Sequence, residues 1–230
     1  MEQRLVIFDC DGVLVDSETL SAEVLRTMLV AAGLELTPAE TLSLLRGRKV
    51  AVWVQELGGR LERPLGEEFI TEFRRRTLDA FTDGLRPVPG VHELLAGLSV
   101  PYCTASSAPR EKILHTLSLT GLLPAFDGRI FSAYEVGSWK PDPDLFLHAA
   151  AHLGAAPHNC AVVEDSRVGV QAAVAARMAV FGYAPPENGT AAELAEAGAT
   201  VFTSMSQLPA LLDGWLATTP VSPAAQASVR

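Results

Sequence analysis

Residues 6–18 read VIFDCDGVLVDSE. Val6, Ile7 and Phe8 belong to a short, continuously apolar run, the pattern of a strand covered on both faces. The run stops at Asp9, and Asp11 follows two positions later, just ahead of Gly12. Two carboxylates are thus aimed at one spot directly after the part of the chain that folding keeps dry. Acids gathered in such a place repel one another unless something positive sits among them. The stretch therefore starts a sheet and marks a place for chemistry.

Similar runs recur along the chain, and strands are expected at 5–9, 101–106, 129–132, 160–164, 179–183 and 200–202. Between them lie helical patterns at 91–98, 110–119, 143–153, 168–176 and 191–197. That alternation predicts an α/β fold, a doubly wound (Rossmann-like) parallel sheet. One interval breaks the rhythm. From 17 to 84 the periodicity is helical throughout, with a helix over 19–32 closed by Gly33 and others over 50–57 and 67–81. Thr37-Pro38-Ala39-Glu40 carries a capping-box helix start with proline at the first helical position. The expected organisation is a catalytic core of residues 1–16 and 85–216, an all-helical cap inserted at 17–84, and a disordered tail over 217–230, which is small, polar and rich in Pro, Ala and Ser.

The 230 residues suit a core with one insertion, and a hydrophobic share of 48% is that of an ordinary globule. A net charge of −9 speaks against nucleic acid as a partner, since phosphate backbones select basic surfaces. No apolar run reaches the ~18–20 residues needed to span a bilayer, and the start of the chain does not read as a signal peptide. Cys10, Cys103 and Cys160 are odd in number and lie in or beside apolar runs, as reduced core cysteines do. The expected location is cytoplasmic, with no membrane partner. A monomer is the expected state, with a dimer as the alternative.

Open α/β sheets bind ligands at the carboxyl ends of their strands. Here the first strand ends in Asp9, Cys10, Asp11 and Gly12, and the second in Ser106 and Ser107 before Pro109 and a helix. Beyond the third comes Trp139-Lys140-Pro141-Asp142-Pro143, with Asp142 and Pro143 expected as cap and first residue of the next helix. The fourth ends in Glu164-Asp165-Ser166. Any one of these could be a helix cap or an ordinary polar strand end. All four fall where the fold makes a site. Asp9-x-Asp11-Gly12 also opens like a calcium loop, but Leu14 and Leu20 stand where that loop needs Gly and Glu. Clustered carboxylates suit Mg²⁺, which shares its shell with substrate phosphate. The serines before a helix start, and the lysine, suit the phosphate itself.

DCDGV, the serine at 106, WKPDP and VVEDS resemble the four motifs of the haloacid dehalogenase superfamily, in their usual order and across nearly the whole chain. The pattern is nearest to its sugar-phosphate phosphatases and β-phosphoglucomutases. The stretch SAYEVGSWKPDPDLFLHAA is similar to bacterial phosphosugar phosphatases, those acting on 6-phosphogluconate among them. The resemblance implies a Mg²⁺-dependent phosphatase in which Asp9 is the nucleophile and forms an aspartyl-phosphate, and Asp11 is the general acid and base. It implies that Asp9, the Asp11 backbone carbonyl and Asp165 hold the metal, with Glu164 acting through water. Ser106 and Lys140 would bind the transferring phosphoryl group, with Ser107 beside them.

A dehalogenase resembling the family would lack Asp11 and the metal. A mutase, the first alternative, would carry a His and an Arg where this chain has Ser21 and Val50. A phospho-accepting signalling domain, the distant alternative, has no place for the helical insertion. The resemblance places the substrate loop at 45–49, Leu-Arg-Gly-Arg-Lys, and implies that Arg48 and above all Lys49, where related phosphatases of acidic substrates carry a lysine, meet an acidic group on the sugar; a solvated basic turn is the alternative reading. Arg74, Arg75 and Arg76 read as an exposed helix face. His148 and His152 have zinc-like spacing but no third ligand nearby, which favours a surface role.

Overall fold

The first apolar run is an interior strand. Val6 is in register with Tyr102 on one side and with Ala161 on the other, both in parallel. The computed structural model describes residues 3–46, 48 and 50–218. Six strands, β1 (Leu5–Phe8), β2 (Tyr102–Ser106), β3 (Ile130–Ser132), β4 (Cys160–Glu164), β5 (Ala179–Tyr183) and β6 (Thr200–Phe202), make one parallel sheet in the order β3-β2-β1-β4-β5-β6. Every residue of β1 and β4 is buried, which is why their sequences are apolar without alternation. The order reverses between β1 and β4, and such a switch point opens a crevice beyond the strand ends.

The chain divides into two compact units, one of Met1–Leu14 with Pro87–Arg230 and one of Val15–Arg86. The two connecting segments explain the division. The Asp16 N–H donates to the Arg86 carbonyl at 3.0 Å, and the Val88 N–H donates to the Leu14 carbonyl at 3.0 Å, so the paired segments change hands between these bonds.

In the sheet unit, α5 (Val91–Gly97), α6 (Arg110–Leu119), α7 (Ala133–Val136), α8 (Asp144–His152), α9 (Arg167–Ala175), α10 (Ala191–Glu196) and α11 (Leu208–Ala217) accompany the strands. Leu145, Phe146, Ala149 and Ala150 of α8 and Val170, Ala172 and Ala173 of α9 pack with Ile7, Cys103 and Val162 in one buried cluster. Two expectations need correction. Helix α8 starts at Asp144, behind Pro143, so Asp142 does not cap it. The chain is still helical at Ala217, where a disordered tail was expected; residues 219–230 lie outside the described residues. No helix among the described residues is long and apolar enough to cross a membrane.

The other unit consists of α1 (Ser17–Ala31), α2 (Pro38–Leu45), α3 (Val50–Arg60) and α4 (Glu67–Gly84). The capping box at the start of α2 is formed: the Glu40 N–H donates to Thr37 Oγ1 at 3.2 Å, and the Thr37 N–H donates to Glu40 Oε2 at 2.8 Å. Leu25, Met28, Leu29, Leu44, Trp53, Leu57 and Phe73 form its core, with Trp53 set edge-on to Phe73 at 5.4 Å. Trp53 is 1% exposed. Trp53→Ala should therefore lower stability by about 3–5 kcal/mol in urea unfolding, since a cavity this central cannot collapse. A loss below about 1 kcal/mol would show that Trp53 does not hold these helices together.

Candidate active site

Asp9 leaves β1 with its N–H donating to the Val163 carbonyl at 3.0 Å, so the strand ladder fixes its backbone. Glu164 and Asp165 leave β4, the neighbouring strand across the switch point. Carboxylate oxygens of Asp9, Glu164 and Asp165 lie within 4.8 Å of one another, and all three residues are buried. Lys140, from the loop between α7 and α8, closes the group. Its Nζ donates to Asp9 Oδ1 at 2.5 Å and to Glu164 Oε1 at 2.5 Å, and it lies 5.0 Å from the centre of the Phe146 ring. The Lys140–Pro141 peptide is cis.

Glu164 is the most tightly held of the acids. Its Oε2 accepts from the Asp165 N–H and Ser166 N–H, each at 3.1 Å, and from the Ser166 hydroxyl at 2.9 Å. Ser166 also caps α9 by accepting from the Gly169 N–H. A Cβ at Gly169 would run into the Glu164 carboxyl group, so glycine there is what lets α9 come so near. Gly12, at φ +79°, plays the matching part beyond β1. A Cβ there would lie 2.7 Å from Asp165 Cγ, so glycine is what lets the loop after β1 come against that carboxylate.

Burial raises the Asp9 pKa to about 7, against the pull of Lys140, and the charges of Glu164 and Asp11 push the same way as burial. Burial acts against the charge on Lys140, but Asp9 and Glu164 outweigh it and hold the ammonium above its ordinary pKa. The site thus favours positive charge strongly and accommodates negative charge poorly while no further cation is present.

Asp11 is half-buried and turns to Lys112 of α6, whose Nζ donates to both Asp11 oxygens at 2.9 Å. Lys112 carries no local signal in the sequence, because nothing marks a lysine in the first turn of a helix as functional. Ser106, 2% exposed, ends β2, and its hydroxyl oxygen accepts from the Ala108 N–H at 3.1 Å. That leaves its O–H to donate elsewhere. Ser107 is exposed. The sheet unit therefore carries Asp9, Asp11, Ser106, Ser107, Lys140, Glu164 and Asp165 at or just beyond the carboxyl ends of three adjacent strands and in the loop before α8.

The residues expected to choose the substrate belong to the helical unit. Arg48 Nη2 donates to Glu56 Oε2 at 2.7 Å, so part of its charge is already balanced. Arg46 pairs with Glu18 at 2.7 Å, both side chains being largely buried. Gly47 and Lys49 lie outside the described residues. Ser21 donates to the Ser17 carbonyl at 2.7 Å, and Val50 opens α3. Arg75 and Arg76 are exposed and paired with Glu72, Arg75 also with Asp79. His148 and His152 are exposed and set edge-on against Phe131. Cys10, Cys103 and Cys160 are buried free thiols; burial raises all three pKa values, that of Cys160 to about 12, which makes them poor nucleophiles.

The donor set suits a hard divalent cation. The cluster offers oxygen alone, with neither imidazole nor thiolate. Asp9, Asp11, Glu164 and Asp165 face Lys140 and Lys112, a surplus of two negative charges with all six groups ionised.

Comparison with known proteins agrees with this geometry. The profile of haloacid dehalogenase-like hydrolases matches residues 3–177. The chain is 34% identical over 217 residues to the 6-phosphogluconate phosphatase of Escherichia coli (strain K12), covering 91% of this chain and 96% of that one. A haloacid dehalogenase-like protein of unknown function from Agrobacterium tumefaciens str. C58 superposes with a TM-score of 0.86 at 32% identity, covering 93% of this chain and 99% of that one. A HAD family hydrolase from Deinococcus radiodurans R1, solved with bound phosphate and sodium, superposes with a TM-score of 0.81 at 31% identity, covering 96% and 99%. With the profile matched over most of its length and these relatives alike from end to end, the chain belongs to the haloacid dehalogenase-like hydrolase family.

Proposed function

We propose that this phosphoric monoester hydrolase acts on a small phosphorylated sugar or sugar acid of the 6-phosphogluconate kind, with Mg²⁺ as cofactor and Asp9 as nucleophile. The observation that carries the reading is the convergence of Asp9, Glu164 and Asp165 on one point with Lys140 bridging two of them. Asp9, Asp165 and the Asp11 backbone carbonyl would hold the metal, with Glu164 behind them. When bound, the metal offsets negative charge on the phosphoryl oxygens and on Asp9.

In the first step an Asp9 carboxylate oxygen attacks phosphorus, the ester P–O bond breaks, and the departing sugar oxygen takes a proton from Asp11. In the second, water gives its proton to Asp11 and attacks the aspartyl-phosphate, releasing inorganic phosphate and restoring Asp9. Lys140 and the Ser106 hydroxyl bind the oxygens of the phosphoryl group, with Ser107 as a further donor. The strand ladder under Asp9 makes the nucleophile rigid, and the loop that follows sets Asp11 two positions on as the proton carrier.

We assign the choice among substrates to Arg48 and Lys49. Support comes from the similarity to a phosphatase whose name specifies a sugar acid phosphate. A β-phosphoglucomutase activity is disfavoured by Ser21 and Val50, which supply neither the imidazole nor the guanidinium that the mutase pattern carries.

Phosphate release from a panel of phosphorylated sugars and sugar acids, with and without Mg²⁺, tests the reading. Acidic sugars should give the higher kcat/KM. Lys49→Ala should reduce that advantage by about tenfold, mainly through KM, as loss of one ionic contact does. Equal rates on neutral and acidic sugars would remove Lys49 from the account. A panel on which no phosphate is released would remove the function itself.

A further inference from the structure

The two aspartates after β1 each face a lysine of their own, Asp9 facing Lys140 and Asp11 facing Lys112. Lys140 has a place in the proposed chemistry. Lys112 has none so far, yet its ammonium sits symmetrically on the Asp11 carboxylate, 2.9 Å from each oxygen. One donor set equally on both oxygens fixes the direction in which the carboxylate points. The pair is half-buried, with side chains 33% and 23% exposed, so it is neither dissolved by solvent nor sealed in the core.

Asp11 stands two positions from Asp9, beside a cluster that carries the carboxylates for a divalent cation. An uncompensated carboxylate in that position would be drawn onto the cation as an additional ligand. It would then be lost as a proton carrier, because its oxygens would be committed to the metal. We infer that Lys112 is a positioning residue that keeps the Asp11 side chain off the metal, so that Asp11 remains available to protonate the leaving oxygen. This rests on the reading of Asp11 and Mg²⁺ given above.

The assignment predicts opposite effects on two quantities. In calorimetric titration of Mg²⁺ into metal-free protein without substrate, Lys112→Met should bind the ion about tenfold more tightly, as expected when a site gains an anionic ligand. Its kcat on p-nitrophenyl phosphate should fall about 10²-fold, the lower end of what a general acid contributes, with KM changed by less than about threefold. Lys112→Arg should restore both, and Lys112→Gln should behave like the methionine variant. The decisive comparison places Lys112→Met in an Asp11→Asn background, where the gain in Mg²⁺ affinity should vanish.

If the gain persists there, it comes from the missing lysine charge acting at a distance, and the inference is overturned. Unchanged or weaker Mg²⁺ binding by folded Lys112→Met and Lys112→Gln would also overturn it. Those outcomes leave the proposed function standing so long as the wild type binds Mg²⁺ and Asp9→Asn is inactive. A wild type that binds no Mg²⁺ removes both together.

Discussion

Asp9→Asn should fold normally and release phosphate at a rate reduced by roughly 10⁴-fold or more, the scale on which loss of a nucleophile is felt. The amide is nearly isosteric, so the ladder bond from the residue 9 N–H to the Val163 carbonyl is retained, and the amide oxygen can still accept from Lys140. Stability gives an independent check with a definite sign. Burial raises the Asp9 pKa from 3.8 to about 7, so the metal-free native state binds this proton more tightly than the unfolded chain does. Native stability from this group is therefore lost as pH rises across that interval. Asn cannot ionise and escapes that loss. With EDTA present, the Tm of Asp9→Asn relative to wild type should climb between about pH 4 and pH 7. A variant retaining even about 1% of wild-type turnover of p-nitrophenyl phosphate would exclude Asp9 as the nucleophile.

Lys140→Met should damage both chemistry and stability. Lys140 is buried between Asp9 and Glu164, and removing one member of such a group leaves the others without compensation, at a cost of about 3–5 kcal/mol. One of the two acids then takes a proton, which recovers part of the loss. For the reaction, the variant loses a fixed positive charge at the phosphoryl oxygens, a deficit of roughly 10³-fold in kcat. Mg²⁺ should restore stability more than it restores rate, since an ion can replace charge without replacing the ammonium's position. Urea unfolding and steady-state kinetics, each with and without Mg²⁺, separate the two effects. A kcat within tenfold of wild type would exclude Lys140 from the phosphoryl site.

Much of this fold can be read from the chain because its central strands, β1 and β4, are buried throughout and their neighbours, β2 and β5, largely so. Cys160–Glu164, Ala179–Tyr183 and Thr200–Phe202 occupy the positions their apolar runs suggest, and the outer bounds of the other strands differ by one residue. The helix Leu208–Ala217 had no such signal, since Pro209 and Gly214 punctuate it and no strand follows to set the rhythm. The site divides along a similar line. Acids at strand ends announce themselves, because polar groups after a dry run are conspicuous. Lys112 does not, because its partner Asp11 is 101 positions away and only the packing of α6 unites them. The Arg46–Glu18 pair, 28 positions apart across two helices, was hidden for the same reason.

The arrangement of β1 beside β4 has a consequence for the growing polypeptide. Lys140 is made 131 positions after Asp9, and Glu164 and Asp165 later still. During synthesis the nascent chain carries Asp9 without these partners until their positions have been made. The acidic cluster is completed in one late event, when the fourth strand inserts next to the first, so on the proposed function a chain released before residue 165 is expected to hydrolyse no phosphate ester.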